Sequence, residues 1–268
     1  MDTIINVENL TCLVGNRAIL SNIDWKIKKG DHWVVFGLNG SGKTTLLSIL
    51  AGYRSYTSGK VEVFGAPYTA QNILEKRKRI GWISSSFYDK YYTKESVLQI
   101  VLAGVTGKLG VNGSITNADI KKAKHLLTEL GMAEKMNRTF DSLSKGERQS
   151  VLIARELMTD PEILILDEPG TGLDIYARER MLSLVKTLAQ NPEITIIYVT
   201  HYTEEILNVF DQCLLLKHGR MYAKGNTQEI FQEELISDFL ETSAKIKKVD
   251  DSYYIGITDS EQIVLEQR

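Results

Sequence analysis

Residues 37–44 read Gly-Leu-Asn-Gly-Ser-Gly-Lys-Thr and match the phosphate-binding loop GxxxxGK[ST] at every fixed position. The apolar run 33–36 before the loop reads as a buried strand, and the run 45–50 after it reads as a helix. The phosphate-binding motif requires this strand–loop–helix context, whereas an ordinary glycine-rich turn can occur without it. The stretch therefore predicts an α/β fold with a P-loop core that binds a nucleoside triphosphate.

The residues of this loop have distinct expected roles. Lys43 is expected to reach the β- and γ-phosphates, and the Thr44 hydroxyl is expected to ligate Mg²⁺. Glycines let backbone N–H groups turn toward phosphate oxygens, and the helix N-terminus adds partial positive charge. The other predicted nucleotide contacts in this stretch are Gly37, Asn39, Gly40, Ser41, Gly42 and Thr45.

Two carboxylates follow a second apolar run. Residues 163–166 read Ile-Leu-Ile-Leu, and Asp167 and Glu168 come directly after them. Asp167 is the expected Mg²⁺ residue, and Glu168 is the expected acceptor of a proton from attacking water. The alternative is a strand that ends in an ordinary charged turn. A complete phosphate loop upstream favours the first interpretation, because phosphoryl transfer needs a carboxylate that positions the metal.

Residues 143–147, Leu-Ser-Lys-Gly-Glu, come just before a run with helical apolar spacing. Ser144 and Glu147 have capping-box spacing, so one interpretation is a well-capped helix and nothing more. The other is an anion site, since a Ser and a Gly at an exposed helix N-terminus can bind a γ-phosphate. Taken alone, this segment leaves both interpretations open.

The order of these segments resembles the ATP-binding cassette (ABC) ATPase family over roughly residues 4–240. The phosphate loop comes first, followed by Leu-Ser-Lys-Gly-Glu and then by the strand that ends in two carboxylates. Gly172-Leu173-Asp174 comes next, and His201 follows the β-rich run 196–200. A lone histidine after a strand is more often structural, but the spacing behind Glu168 matches the family.

The resemblance implies roles for five residues. Ser144 and Gly146 fall in the family's signature loop, which binds the ATP held by the opposite subunit of a head-to-tail dimer. Glu168 matches the catalytic base. Asp174 matches the D-loop aspartate, and His201 matches the switch histidine that contacts the γ-phosphate.

The sequence departs from the family pattern in three places. Val14 stands where an aromatic residue normally stacks on adenine, and Lys145 and Glu147 replace Gly and Gln of the signature consensus. Ser85 stands where a glutamine normally contacts Mg²⁺ and the attacking water. Because a serine hydroxyl reaches less far than a glutamine amide, we expect slow basal turnover.

The composition limits the partners and the cellular compartment that we expect for this chain. The chain has 268 residues, 43% of them hydrophobic and 25% charged, with formal net charge −2, so nucleic acid is not an expected partner. Cys12 and Cys213 have no disulfide or metal-ligand spacing, which fits a reducing cytosol. The first residues lack a leader pattern, and no apolar run approaches the roughly 18 residues that a membrane span needs.

Periodicity predicts the organisation of the chain. Short β-rich runs in residues 4–36 predict an antiparallel β edge, and helical spacing predicts an inserted helical subdomain at about 88–158. The cassette is expected to cover 1–240, and 241–268 is expected to form a C-terminal extension that includes a strand near 253–257.

These features together predict Mg²⁺-dependent ATP hydrolysis by two cassettes that close around two nucleotides. The leading expectation is the ATPase subunit of a transporter, most simply a homodimer, which works with a separate membrane permease from the cytoplasmic face. One alternative is a soluble regulatory or DNA-repair-associated ATPase. Another is a binding module that closes on ATP and hardly hydrolyses it. No cargo is indicated.

Overall fold

The computed structural model describes residues 2–84, 94–106 and 115–258. Its helices are α1 (Lys43–Leu50), α2 (Ile73–Lys78), α3 (Val97–Ala103), α4 (Asn117–Glu129), α5 (Lys145–Leu157), α6 (Ile175–Leu188), α7 (Thr227–Ile230) and α8 (Glu233–Leu240). Its strands are β1 (Thr3–Val14), β2 (Arg17–Lys28), β3 (Trp33–Phe36), β4 (Ser58–Val63), β5 (Ala66–Pro67), β6 (Ile80–Ser84), β7 (Ile163–Asp167), β8 (Thr195–Thr200), β9 (Gln212–Lys217), β10 (Arg220–Asn226), β11 (Ala244–Val249) and β12 (Ser252–Ile257).

A six-stranded sheet forms the centre, in the order β10-β9-β3-β8-β7-β6. Its strands are parallel except for β10, which runs antiparallel to β9 at one edge. Both faces of β7 are buried: Leu164 and Leu166 pack in the core that includes the inserted helices, while Ile163 and Ile165 pack in the core on the α1 side. This burial on both faces explains why the strand has no polar alternation.

The predicted antiparallel edge is confirmed as a second sheet in the order β2-β1-β4-β5. It packs on the central sheet through Trp25, whose ring meets Trp33 edge-on with 5.3 Å between centroids. Strands β1 and β2 are longer than the runs that the sequence indicated. Register shifts interrupt their alternation, and Asn9 and Asn22 adopt positive φ of 49° and 51° in these strands.

The predicted helical insert corresponds to α3, α4 and α5, which pack against one another around Leu127, Phe140 and Val151. The segments 85–93 and 107–114 of this region lie outside the described residues. None of the described helices has the length and apolar character needed to cross a membrane.

The strand predicted near residues 253–257 is confirmed as β12, which forms an antiparallel hairpin with β11. Tyr253 is buried, and its ring packs against Phe231 with 4.9 Å between centroids. At the hairpin turn, Asp251 accepts a 2.6 Å hydrogen bond from Asn208 and pairs with Lys186 of α6 at 2.8 Å. This hairpin therefore shares the core of the larger α/β unit, and the domain boundary at residue 240 stays a prediction.

Candidate active site

The phosphate loop, the two carboxylates and His201 follow the carboxyl ends of three neighbouring parallel strands. Strands β3, β8 and β7 lie side by side in the sheet, and parallel strands end at one common edge. The phosphate loop follows β3, His201 follows β8, and Asp167 and Glu168 end β7 and begin the turn after it. The topology thus brings together segments that are far apart in sequence.

Two glycines of the phosphate loop have a steric reason to be glycine. A Cβ on Gly37 would lie 2.4 Å from the Leu216 carbonyl oxygen, which is too close for any side chain. Gly42 has φ of 103° directly before α1 begins at Lys43. The backbone of the loop can therefore fold close to β9 and still deliver the first turn of the helix.

Lys43 is buried, and three oxygens surround its ammonium group. Its Nζ donates to the carbonyl oxygens of Gly37 at 2.8 Å and Leu38 at 3.3 Å. It also lies 3.1 Å from Oε1 of Glu168. The loop therefore folds back on its own lysine and holds the cation beside the β7 carboxylates.

The side-chain oxygens of Asp167 and Thr44 lie close together next to this lysine. Thr44 Oγ1 donates to Asp167 Oδ1 at 3.5 Å. Burial raises the pKa of Asp167 from its ordinary value of 3.8 to about 6; the Glu168 charge adds to this effect, while the Thr44 hydroxyl and Lys43 oppose it. A nearby cation strongly stabilises the ionised form of such a desolvated carboxylate.

Glu168 lies between two cationic or protonatable side chains. Its Oε1 is 3.1 Å from Lys43 Nζ and 3.3 Å from His201 Nδ1. Its backbone has φ of 51°, which is uncommon for a residue with a side chain, and its N–H donates to Val199 O at 3.0 Å. This turn directs Glu168 toward the lysine while β8 fixes the backbone.

A cleft of about 440 Å³ opens beside these groups. It is lined by Arg17, Ile19, Asn39, Gly40, Ser41, Gly42, Lys43, Thr44, Thr45 and Glu168. The Ser41 hydroxyl is buried and has no hydrogen-bond partner among the described residues. A polar cradle with an unused donor and backbone N–H groups fits a phosphate chain.

The sequence did not indicate two of the lining residues, Arg17 and Ile19, which enter the cleft from β2. Val14, the predicted adenine contact, pairs with Arg17 in the β1–β2 hairpin, is 52% exposed and does not line the cleft. The hairpin turn is visible in the sequence, but its position over the phosphate loop depends on the packing of the two sheets. Ser85 lies outside the described residues.

The residues of the signature segment lie in another place. Ser144, Gly146 and Asp174 line a groove of about 850 Å³ between the inserted helices and α6, and none of them lines the Lys43 cleft. Ser144 caps α5, with both hydrogen bonds of the capping box to Glu147 present. Asp174 caps α6 by accepting from the N–H of Ala177 at 2.8 Å. Helix capping is therefore real here, and it leaves the anion-binding interpretation open.

The side chains beside the cleft suit Mg²⁺ that arrives with phosphate. Mg²⁺ prefers oxygen ligands, commonly one or two from the protein and the rest from water and phosphate. Thr44 and Asp167 offer a hydroxyl and a carboxylate oxygen at one point of the cleft edge. Across the described parts of the chain, no group of three His, Cys, Asp or Glu residues forms a cage that could hold a metal alone.

Known proteins resemble this chain along most of its length. The family model described as ABC transporter matches residues 20–171, more than half of the chain. The chain is 40% identical to the ABC transporter ATP-binding protein YlmA of Bacillus subtilis, over 89% of this chain and 91% of that one. It is 32% identical to YmeB of Lactococcus lactis, also named an ABC transporter ATP-binding protein, over 94% and 98% of the two chains.

A solved structure agrees with the fold. It is described as cbiO1 from Clostridium perfringens, part of the ABC transporter complex cbiONQ. It aligns with a TM-score of 0.76 at 29% identity, over 90% of this chain and 95% of that chain. Because the alignment covers most of both chains, the agreement extends well beyond the phosphate loop.

Proposed function

The chain belongs to the ABC transporter family of ATP-binding proteins, and on that premise we propose that it hydrolyses Mg-ATP as a head-to-tail homodimer and drives a separate membrane permease. The proposal rests on the position of Glu168, with Lys43 3.1 Å away on one side and His201 3.3 Å away on the other. A base between a phosphate-binding cation and a histidine suits attack of water on a γ-phosphate.

In the proposed reaction, the γ-phosphate takes the place of Glu168 as the partner of Lys43. Glu168 is then free to accept a proton from the water that attacks the γ-phosphorus, while the bond to the bridging oxygen breaks and ADP leaves. His201 stabilises the transferred phosphoryl group through its ring N–H. Thr44 and Asp167 would hold Mg²⁺, which supplies charge neutralisation when it is bound.

The two separate clefts support the need for a second copy. The chain contains one phosphate loop and one Leu-Ser-Lys-Gly-Glu segment, and their residues line different surfaces. We infer that Ser144, Gly146 and Asp174 of one subunit complete the nucleotide site of the other. An exposed Ser144 at a helix N-terminus supports this role, since backbone N–H groups there attract phosphate.

A transport role is supported by the names of the relatives, which describe ATP-binding proteins of ABC transporters. The partner would be a membrane permease made by another chain, with this protein attached at the inner face of the membrane. Arg17 and Ile19 line the phosphate cleft, and Val14 pairs with Arg17 in the same hairpin. We infer that the adenine ring lies on this hairpin without a stacking aromatic residue.

The decisive experiment measures ATP hydrolysis and dimer formation together. Wild-type protein should hydrolyse ATP only with Mg²⁺, and Glu168→Gln should retain ATP binding, lose at least about 100-fold in kcat and elute as a dimer with Mg-ATP. Glu229→Gln, the same change on an exposed carboxylate of α7, is the control and should behave as wild type. A monomeric profile at high concentration in every variant would refute the dimer.

Purification from native membranes tests the transport role. Capture of a permease with several membrane spans in stoichiometric amount supports the proposal. An ATPase that is active alone and recovers no membrane protein would instead identify a regulatory or DNA-repair-associated ATPase.

A further inference from the structure

A buried carboxylate that the proposed reaction does not use lies against the two turns that carry Glu168 and His201. Glu205 ends a single turn of 3-10 helix, Thr203–Glu205, that begins two residues after His201. Its side chain is 1% exposed. A charged group is rarely buried so completely unless its neighbours require it, because desolvation is costly.

One oxygen of this carboxylate is bound to β8. Glu205 Oε2 accepts from the Thr200 hydroxyl at 2.6 Å and from the Tyr198 hydroxyl at 3.1 Å. Thr200 Oγ1 also accepts from the backbone N–H of Tyr202 at 2.9 Å. The Thr200 hydroxyl therefore links Glu205 to the backbone on both sides of His201.

The other oxygen faces the turn that carries Glu168. A Cβ on Gly170 would lie 1.9 Å from Glu205 Oε1, so the carboxylate packs directly on the backbone two residues beyond Glu168. Arg178 of α6 places its Nε 3.3 Å from the same oxygen, and its guanidinium also lies over the Tyr202 ring at 5.0 Å. Glu205 thus contacts the His201 turn, the Glu168 turn and the helix that Asp174 caps.

We propose that Glu205 is a positioning residue that fixes His201 relative to Glu168 through the Thr200 hydroxyl. The inference rests on the proposed function, because it assigns Glu205 to the geometry of that hydrolytic site. The carboxylate contacts both turns and does not line the phosphate cleft, so it sets their separation without touching nucleotide. Misplacement of a reacting group by about 1 Å can cost about 100-fold in rate, which makes such a support kinetically visible.

The test compares two adjacent glutamates. Glu204 also faces Arg178, at 3.6 Å, but the Tyr198 and Thr200 hydroxyls of β8 donate to Glu205, and the three atoms nearest to a Cβ on Gly170 all belong to Glu205. Glu205→Ala should lower kcat by about tenfold to 100-fold with the ATP affinity and KM changed by less than about threefold. Glu204→Ala should keep kcat, KM and the ATP affinity at wild-type values.

A second variant covers the case in which Glu205→Ala folds poorly. Thr200→Val keeps the shape of a buried β-branched side chain and removes only the hydroxyl, so it should lower kcat with little change in ATP affinity. Glu205→Gln should recover much of the kcat lost in Glu205→Ala, because its amide oxygen can still accept from Thr200. Wild-type kcat in Thr200→Val, or an equal loss of kcat and ATP affinity in Glu205→Ala, would overturn the inference.

A readout without turnover separates this inference from the proposed function. The chain has four histidines, so the imidazole NMR signals of His201 can be assigned by comparison with His201→Asn. Thr200→Val should shift those signals in nucleotide-free protein, and Glu204→Ala should not. If the wild type does not hydrolyse ATP but Thr200→Val shifts the His201 signals, the hydrolytic function is refuted and the positioning role stands. If the wild type hydrolyses ATP and Thr200→Val leaves the His201 signals unshifted, the positioning role is refuted.

Discussion

Replacement of Asp167 by Asn should make the nucleotide-free protein more stable at neutral pH. Asp167 is 5% exposed, and its pKa is about 6 in the folded chain against an ordinary value of 3.8. Because the folded state holds the proton more tightly than the unfolded state, stability falls as the pH rises from about 4 to about 6. Above that window the ionised carboxylate remains a constant cost.

The size of this cost follows from the pKa difference. Each pKa unit corresponds to about 1.36 kcal/mol, so ionised Asp167 destabilises the fold by about 3 kcal/mol at pH 7. Asn has nearly the same shape, carries no charge and can still accept a hydrogen bond from Thr44 through its amide oxygen. The variant should therefore gain up to about 3 kcal/mol at pH 7.5, and this gain should shrink toward zero near pH 4.

Urea unfolding in EDTA, followed by the fluorescence of the three tryptophans, measures the difference across pH 4 to 8. Asp238→Asn removes the same formal charge at an exposed position and should stay within about 0.5 kcal/mol of wild type throughout. A stability difference between Asp167→Asn and wild type that does not change with pH would refute the reasoning. Mg-ATP should stabilise the wild type by about 2.7 kcal/mol at 100 times its Kd and stabilise Asp167→Asn much less.

Four further substitutions have separate expected outcomes. Lys43→Ala should abolish nucleotide binding in calorimetry, whereas Ser144→Arg should keep monomer binding and abolish turnover; equal losses of affinity would contradict the signature assignment. Tyr253→Ala should lower the free energy of unfolding by about 3 kcal/mol in urea titration, since it removes a buried ring that packs on Phe231, and an unchanged midpoint would show that the hairpin is not integral. Ser85→Gln should raise kcat by more than it changes ATP affinity, and an unchanged kcat would indicate that serine is tolerated there.

The sequence predicts the elements whose geometry is local. The strand–loop–helix around Lys43 is visible because glycines, a buried strand and a helix follow one another without a gap. The capping box at Ser144 is visible for the same reason, since all of its hydrogen bonds lie within four residues. The approach of His201 to Glu168 depends on strand order, which the family resemblance supplied and the spacing alone did not.

Features that depend on contacts between distant segments could not be predicted. Arg17 and Ile19 reach the phosphate cleft only because the antiparallel sheet packs on the central one. Glu205 reads as an exposed residue in a polar stretch, and only the fold reveals its burial against Gly170. No pattern of spacing in the chain marks such a residue, because its partners lie on three different elements.

The capping role of Ser144 also determines which side chains can serve at that position. In the capping box its oxygen acts as an acceptor from the Glu147 N–H, at 3.4 Å, so the hydroxyl proton remains free to be donated. Asp or Asn would cap the helix about as well, but Asp has no proton to donate and would repel a phosphate by charge. A serine can therefore stabilise the helix and donate to an anion at the same time. Ser144→Asp should separate these two roles, because the variant should fold as the wild type does and yet fail to bind an anion at this helix end.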